Sequence, residues 1–126
     1  MKNYIELALK TELKDYKTVS ERYTPSMARL THAASGLCTE SGEFLDMLKK
    51  HLNYGKEFDK ANAIEELGDL MWYVAIACDE LGVSIDDIMR INIDKLKKRY
   101  GDKYSNDRAI NRDLDGEREI LNGYDK

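Results

Sequence analysis

The stretch Ile64-Glu65-Glu66-Leu67-Gly68-Asp69-Leu70-Met71-Trp72-Tyr73-Val74-Ala75-Ile76-Ala77-Cys78-Asp79-Glu80-Leu81 decides the fold. From Leu70 to Cys78 every residue is apolar or aromatic, with neither alternation nor a breaker. The segment therefore reads as a core helix, greasy on every side and expected to be buried on every side. It is too short to span a bilayer, which takes about 20 apolar residues. At roughly 100° per residue, Asn62, Glu66, Asp69 and Tyr73 share one stripe that continues into Ala77. Two carboxylates one turn apart are thus aimed where a buried helix meets its neighbours. They repel each other, and burying them uncompensated is costly, so a divalent cation or a Lys or Arg from another helix is required. The plainer alternative is a Glu-rich first turn favoured by the helix dipole.

The rest of the chain suits a helical bundle around this element. With 126 residues, 42% of them hydrophobic, it is long enough for one domain with its own core. A single proline, Pro25, and few β-branched runs make the chain all-α. The formal net charge of -4 gives no general pull toward nucleic acid or an acidic membrane, so neither is expected as a partner. Cys38 and Cys78 lie in apolar helical surroundings and read as reduced core residues. The start Met1-Lys2-Asn3-Tyr4-Ile5-Glu6 has no apolar run of the secretory kind, and a cytoplasmic protein is expected.

In order, the first helix is expected from Asn3 to about Glu21, with Ile5, Leu9 and Leu13 at i,i+4 spacing. The second starts with Thr24 as N-cap and Pro25 at the first helical position and runs to about Leu52. Its apolar ridge is Leu30, Ala34, Leu37, Phe44 and Leu48, with Gly36, Glu40, Glu43, Met47 and Lys50 along the flank and Ser35, Thr39 and Asp46 opposite. Gly36 suits close approach of another helix or of a ligand. Gly55 reads as a left-handed cap and Asp59 as the N-cap of the third helix, which ends at Gly82. So short a connection makes helices two and three an antiparallel hairpin. Counted from the turn, Glu43 and Glu66 lie at depths of roughly 15 and 10 Å, so the acidic pairs Glu40/Glu43 and Glu66/Asp69 can face each other. Ser84 and Asp87 form a capping box for helix four, Ile85 to about Tyr100, which is expected to bury Ile85, Ile88, Met89, Ile91 or Asn92, and Leu96. Asn92, Lys95 and Arg99 share a stripe on it. The polar tail 101–126 has one short helical pattern near Asp113 to Leu121. The expected architecture is a four-helix bundle, core about 25–100, within one domain 1–126.

Four carboxylates on two antiparallel helices are hard oxygen ligands that suit Mg²⁺, with Mn²⁺ as a substitute. Lys50, Lys95 and Arg99 supply positive charge for a polyphosphate. The chemistry that follows is metal-assisted attack of water on phosphorus, with a carboxylate taking the proton. The di-iron bundle class needs Glu-x-x-His pairs, and His32 and His51 follow Arg29 and Leu48 instead. There is no P-loop, GxSxG or zinc spacing. His32, about three turns before Glu43, reads either as a surface or core histidine or as a contact to a base.

Glu40-Ser41-Gly42-Glu43, Glu65-Glu66-Leu67-Gly68-Asp69 and Lys95-Leu96-Lys97-Lys98-Arg99-Tyr100, in this order, resemble the MazG-like all-α nucleotide pyrophosphohydrolases over roughly Leu30 to Tyr100. The tail Ala109-Ile110-Asn111-Arg112-Asp113-Leu114 resembles small, phage-borne members. The resemblance implies Mg²⁺ bound by Glu40, Glu43, Glu66 and Asp69, with Glu40 or Glu43 helping to activate water. It implies cleavage of nucleoside triphosphates to monophosphate and pyrophosphate, phosphate contacts from Lys95 and Arg99, and Trp72 and Tyr73 beside the base pocket. Read without the resemblance, both aromatics are equally core residues. Many members carry two adjacent glutamates at the first motif, where this chain has Thr39-Glu40. The all-round apolarity of helix three calls for a second subunit, and the resemblance implies dimers or dimers of dimers, so a homo-oligomer is expected. Two other readings stand beside this one: a pyrophosphatase for phosphoribosyl-ATP or a nucleotide alarmone, and a non-catalytic helical interaction module.

Overall fold

A computed structural model describes residues 3–124, and every regular element among them is a helix. The chain divides into two compact units, Met1–Tyr73 and Val74–Lys126. No described helix is long and apolar enough to cross a membrane.

In the first unit the chain opens with α1 (Tyr4–Ala8), a single 3₁₀ turn (Leu9–Thr11) and α2 (Tyr16–Glu21). The expected continuous first helix is therefore broken. Ile5, Leu9 and Leu13 are 60%, 48% and 58% exposed, so no buried face rewards continuing it. Local bonds win instead: Tyr16 Oη and Lys14 Nζ both donate to the Glu12 carboxylate, at 2.8 and 2.7 Å, and Asp15 Oδ1 accepts from the Thr18 N–H at 3.0 Å to start α2.

Helix α3 (Pro25–Tyr54) has the expected start, with Thr24 Oγ1 accepting from the Met27 N–H and Pro25 inside the first turn. It ends where Gly55 takes φ of 65°, which costs glycine nothing and lets its N–H reach the His51 carbonyl at 3.2 Å. Asp59 Oδ1 then accepts from the Asn62 N–H at 3.0 Å and opens α4 (Lys60–Leu81). His32 and Gly36 lie by Tyr73, and Glu40 by Glu66, so α3 and the first half of α4 form the expected antiparallel hairpin.

The buried positions of α3 are Ala33 and Gly36, which turns the stripe expected on the flank toward α4. Ala34, expected on the ridge, is exposed, and Asp46, expected on the outer face, is half-buried. A Cβ on Gly36 would collide with the Tyr73 ring, so this glycine serves helix packing. Burial of α4 on every side does not occur within one chain. Ile64, Leu67, Met71 and Trp72 are exposed, because a helix laid on one partner buries one stripe. Cys38 is exposed, contrary to a core placement, whereas Cys78 is buried; both are free.

In the second unit, the Val83 N–H bonds to the Cys78 carbonyl at 3.0 Å and the Gly82 N–H to the Asp79 carbonyl at 3.2 Å, a Schellman stop for α4. The Ser84–Asp87 capping box starts α5 (Ile85–Tyr100). Of its expected core residues Ile85, Ile91 and Leu96 are half-buried, while Ile88, Met89 and Asn92 are exposed. The short helix α6 (Asn106–Ile110), unforeseen in the sequence, precedes α7 (Leu114–Asn122), capped by Asp113 through the Gly116 N–H at 3.0 Å. The tail thus folds back: α7 packs on α5, and Tyr124 Oη donates to Asp94 at 2.6 Å.

Gly36→Val is expected to lower stability by about 2 kcal/mol, the scale of overpacking in a well-packed site. In a Tyr73→Ala background the same change should be close to neutral, because the ring that it strikes is gone. Thermal melts of the four proteins check this, and equal penalties in both backgrounds would show that the ring is not what α3 packs against.

Candidate active site

Three of the four predicted acids come together on the hairpin. Glu40 and Glu43 project from successive turns of α3 and Glu66 from α4, and one carboxylate oxygen from each lies within 4.8 Å of the others. Asp69 is exposed and outside that group, but its charge still acts on Glu40. The Glu40 carboxyl is pushed up from the ordinary range chiefly by burial, with the charges of Glu43, Asp69 and Glu66 adding to it and a bond from Thr39 opposing it. Thr39 Oγ1 lies 3.2 Å from Glu40 Oε1 and 3.0 Å from the Gly36 carbonyl, and its single proton serves one of them at a time.

Glu66 is 6% exposed and takes a bond from Asn62 Nδ2, one turn earlier, at 2.8 Å. The other buried carboxylate among the described residues is Glu117 in the second unit, and its surroundings are different. Arg99 holds it bidentately through Nε at 2.9 Å and Nη2 at 2.6 Å, and Arg112 through a second fork at 3.3 and 2.6 Å. Those two guanidiniums hold the Glu117 carboxyl far below the usual range. One buried glutamate is thus neutralised by the protein, while the other has an amide and two more carboxylates for company.

Oxygens on a six-coordinate ion with bonds of about 2.1 Å stand roughly 3 to 4 Å apart, so the three acids fit a hard divalent cation after small rotamer changes. A groove of about 690 Å³ runs from Glu43 and Glu66 toward the hairpin turn, bordered by Met47, Lys50, Lys56 and Asn62. Asp46 Oδ2 pairs with Lys50 at 2.6 Å and Oδ1 with Lys49, and these bonds lower the Asp46 carboxyl to about 2. At the opposite end of the hairpin the His32, Trp72 and Tyr73 rings meet edge to face, His32 to Tyr73 at 5.6 Å and Trp72 to Tyr73 at 4.7 Å. Lys95 and Arg99 lie in the second unit, Lys95 half-buried and Arg99 engaged by Glu117.

Asn62, Thr39 and Lys56 were not foreseen as site residues. Asn62 shares the stripe of Glu66, and that shared face was the available signal. A loop lysine carries no periodicity to betray it.

A sequence profile for the MazG nucleotide pyrophosphohydrolase domain matches residues 30–103. The Gene 37 protein of Mycobacterium phage L5 is 34% identical over 83 residues, covering 59% of this chain and 68% of that protein. The uncharacterized protein YvdC of Bacillus subtilis (strain 168) is 44% identical over 41 residues, covering 32% of this chain and 39% of that protein. No solved structure gives a significant match.

In metal-free buffer of low ionic strength, Glu40→Gln is expected to raise the melting temperature by a few degrees, because it removes one of several mutually repelling charges. The gain should shrink in about 0.5 M salt, where the remaining repulsion is screened. A variant that melts below the wild type would contradict this reading of the cluster.

Proposed function

Because the chain belongs to the MazG nucleotide pyrophosphohydrolase family, we propose that it is a Mg²⁺-dependent enzyme that cleaves nucleoside triphosphates to monophosphate and pyrophosphate. The observation that carries this reading is the convergence of Glu40, Glu43 and Glu66 across the hairpin, with Glu66 buried and, among the described residues, no cationic side chain bonded to it.

Glu40, Glu43 and Glu66 would hold the ion, with Asp69 at the exposed edge of the set. Bound there, Mg²⁺ supplies neutralisation of phosphate charge and acidification of water. The protein's own groups do the rest. Asn62 keeps the Glu66 carboxylate in place through its amide. Glu40 or Glu43 accepts the proton of the attacking water. The groove beside the acids takes the phosphate chain, with Lys50 on its wall. A phosphate role for Lys95 and Arg99 requires Arg99 to share or surrender its bonds to Glu117. His32, Trp72 and Tyr73 offer ring faces and edges for a base.

We further propose a homo-oligomer, a dimer or a dimer of dimers. Ile64, Leu67, Met71 and Trp72 recur at i, i+3, i+7 and i+8 and form an exposed apolar stripe along α4.

Incubation with the standard ribo- and deoxyribonucleoside triphosphates in Mg²⁺ and in EDTA, with products separated, tests the reaction. Monophosphate and pyrophosphate are expected only with metal, and Glu66→Gln should lower kcat/KM by about 100-fold or more. Release of orthophosphate as the first product, or unchanged turnover in Glu66→Gln, would contradict the proposal.

A further inference from the structure

We infer that Lys56 binds the terminal phosphate of the substrate, so that a nucleoside triphosphate lies along the hairpin with its base at the aromatic end and its phosphate chain toward the α3–α4 turn. This rests on the pyrophosphohydrolase reading and adds a direction to it.

The hairpin has a chemical polarity. The acids occupy its middle. Toward the start of α3, eleven residues or roughly 16 Å from Glu43, His32 meets Trp72 and Tyr73. Toward the turn, seven residues or roughly 10 Å from Glu43, Lys50 borders the groove, and Lys56 lines it as well. A ligand apolar at one end, anionic at the other and bridged to a cation between them fits this order in one direction.

Lys56 is placed for the task in two respects. Its backbone is pinned: the N–H donates to the Lys50 carbonyl at 3.2 Å, and the carbonyl lies 2.7 Å from His51 Nδ1, whose ring meets Phe58 edge to face. Its ammonium makes no ion pair among the described residues, whereas Lys49 and Lys50 are both committed to Asp46. It is an exposed point charge with three donors, which suits a terminal phosphate more than a neutral group. Acids also line this groove. Asp59 is occupied in capping α4, but Glu43, Asp46, Glu57 and Glu66 make it unattractive to a bare polyanion. The cation at the glutamates and the ammonium of Lys56 together offset that field, one at each end of the phosphate chain.

The test compares the KM of the triphosphate that turns over fastest with the inhibition constant of its matching diphosphate, in wild type, Lys56→Gln and Lys56→Arg. Both constants are defined whether or not the diphosphate is cleaved. Lys56→Gln is expected to raise the triphosphate KM about tenfold and the diphosphate constant less than twofold, with the loss falling on KM rather than kcat. Lys56→Arg should restore most of the difference. Equal rises for both ligands would reduce Lys56 to a diffuse field, and no rise for either would remove it from the site; both overturn the inference while leaving the pyrophosphohydrolase reading intact. Absence of wild-type turnover on every triphosphate would overturn both. Melting temperatures of the variants, expected at the wild-type value, separate these outcomes from misfolding.

Discussion

The Tyr73 ring lies where a side chain on Gly36 would stand, and this contact sets how closely α3 and α4 approach. Glu40 follows Gly36 by one turn and Glu66 precedes Tyr73 by two, so in an antiparallel pair both carboxylates fall on the clamped face. Remaining glycine at position 36 costs helix stability, and the return is proximity between acids that would otherwise move apart. The caps at Thr24, Gly55 and Asp59 fix the register of the hairpin, and the register fixes which acids meet.

Held this way, the acids are in a state that charge alone disfavours. The contrast with Glu117 is informative, because the same fold neutralises that carboxylate with two arginine forks while Glu66 receives a single amide. Among the described residues two arginines are bonded to one buried glutamate and none to the other, which is the arrangement that the proposed external cation beside Glu66 would need. Glu117 instead holds α7 against α5, which gives Arg99 a structural duty in this chain.

Elements with strong local chemistry were legible in the sequence. Thr24-Pro25, Gly55, Asp59 and the Ser84–Asp87 box each carry their own hydrogen bond, and α3, α4 and α5 begin and end close to where those residues place them. The first helix was not legible, because its i,i+4 pattern names an apolar face but cannot say whether anything covers it, and among the described residues Ile5, Leu9 and Leu13 stay exposed. The same blindness misplaced Cys38 and part of the α3 ridge, since periodicity gives relative angles and not the direction of the core. The proximity of Glu40, Glu43 and Glu66 was legible because helical spacing and hairpin depth together determine it. The Arg99–Glu117 bond was not, because it joins α5 to a residue eighteen positions on, in a tail whose polar composition hides its fold-back.

The central claim is that Glu40, Glu43 and Glu66 form a divalent-cation site. Titration with Mn²⁺, followed by the loss of the free-ion paramagnetic resonance signal, tests it without any substrate. The account predicts saturable binding to the wild type, weakened at least about tenfold in Glu43→Gln and in Glu66→Gln while both variants keep the helical spectrum of the parent. Binding of the same strength in wild type and both variants, or none in the wild type, would contradict it.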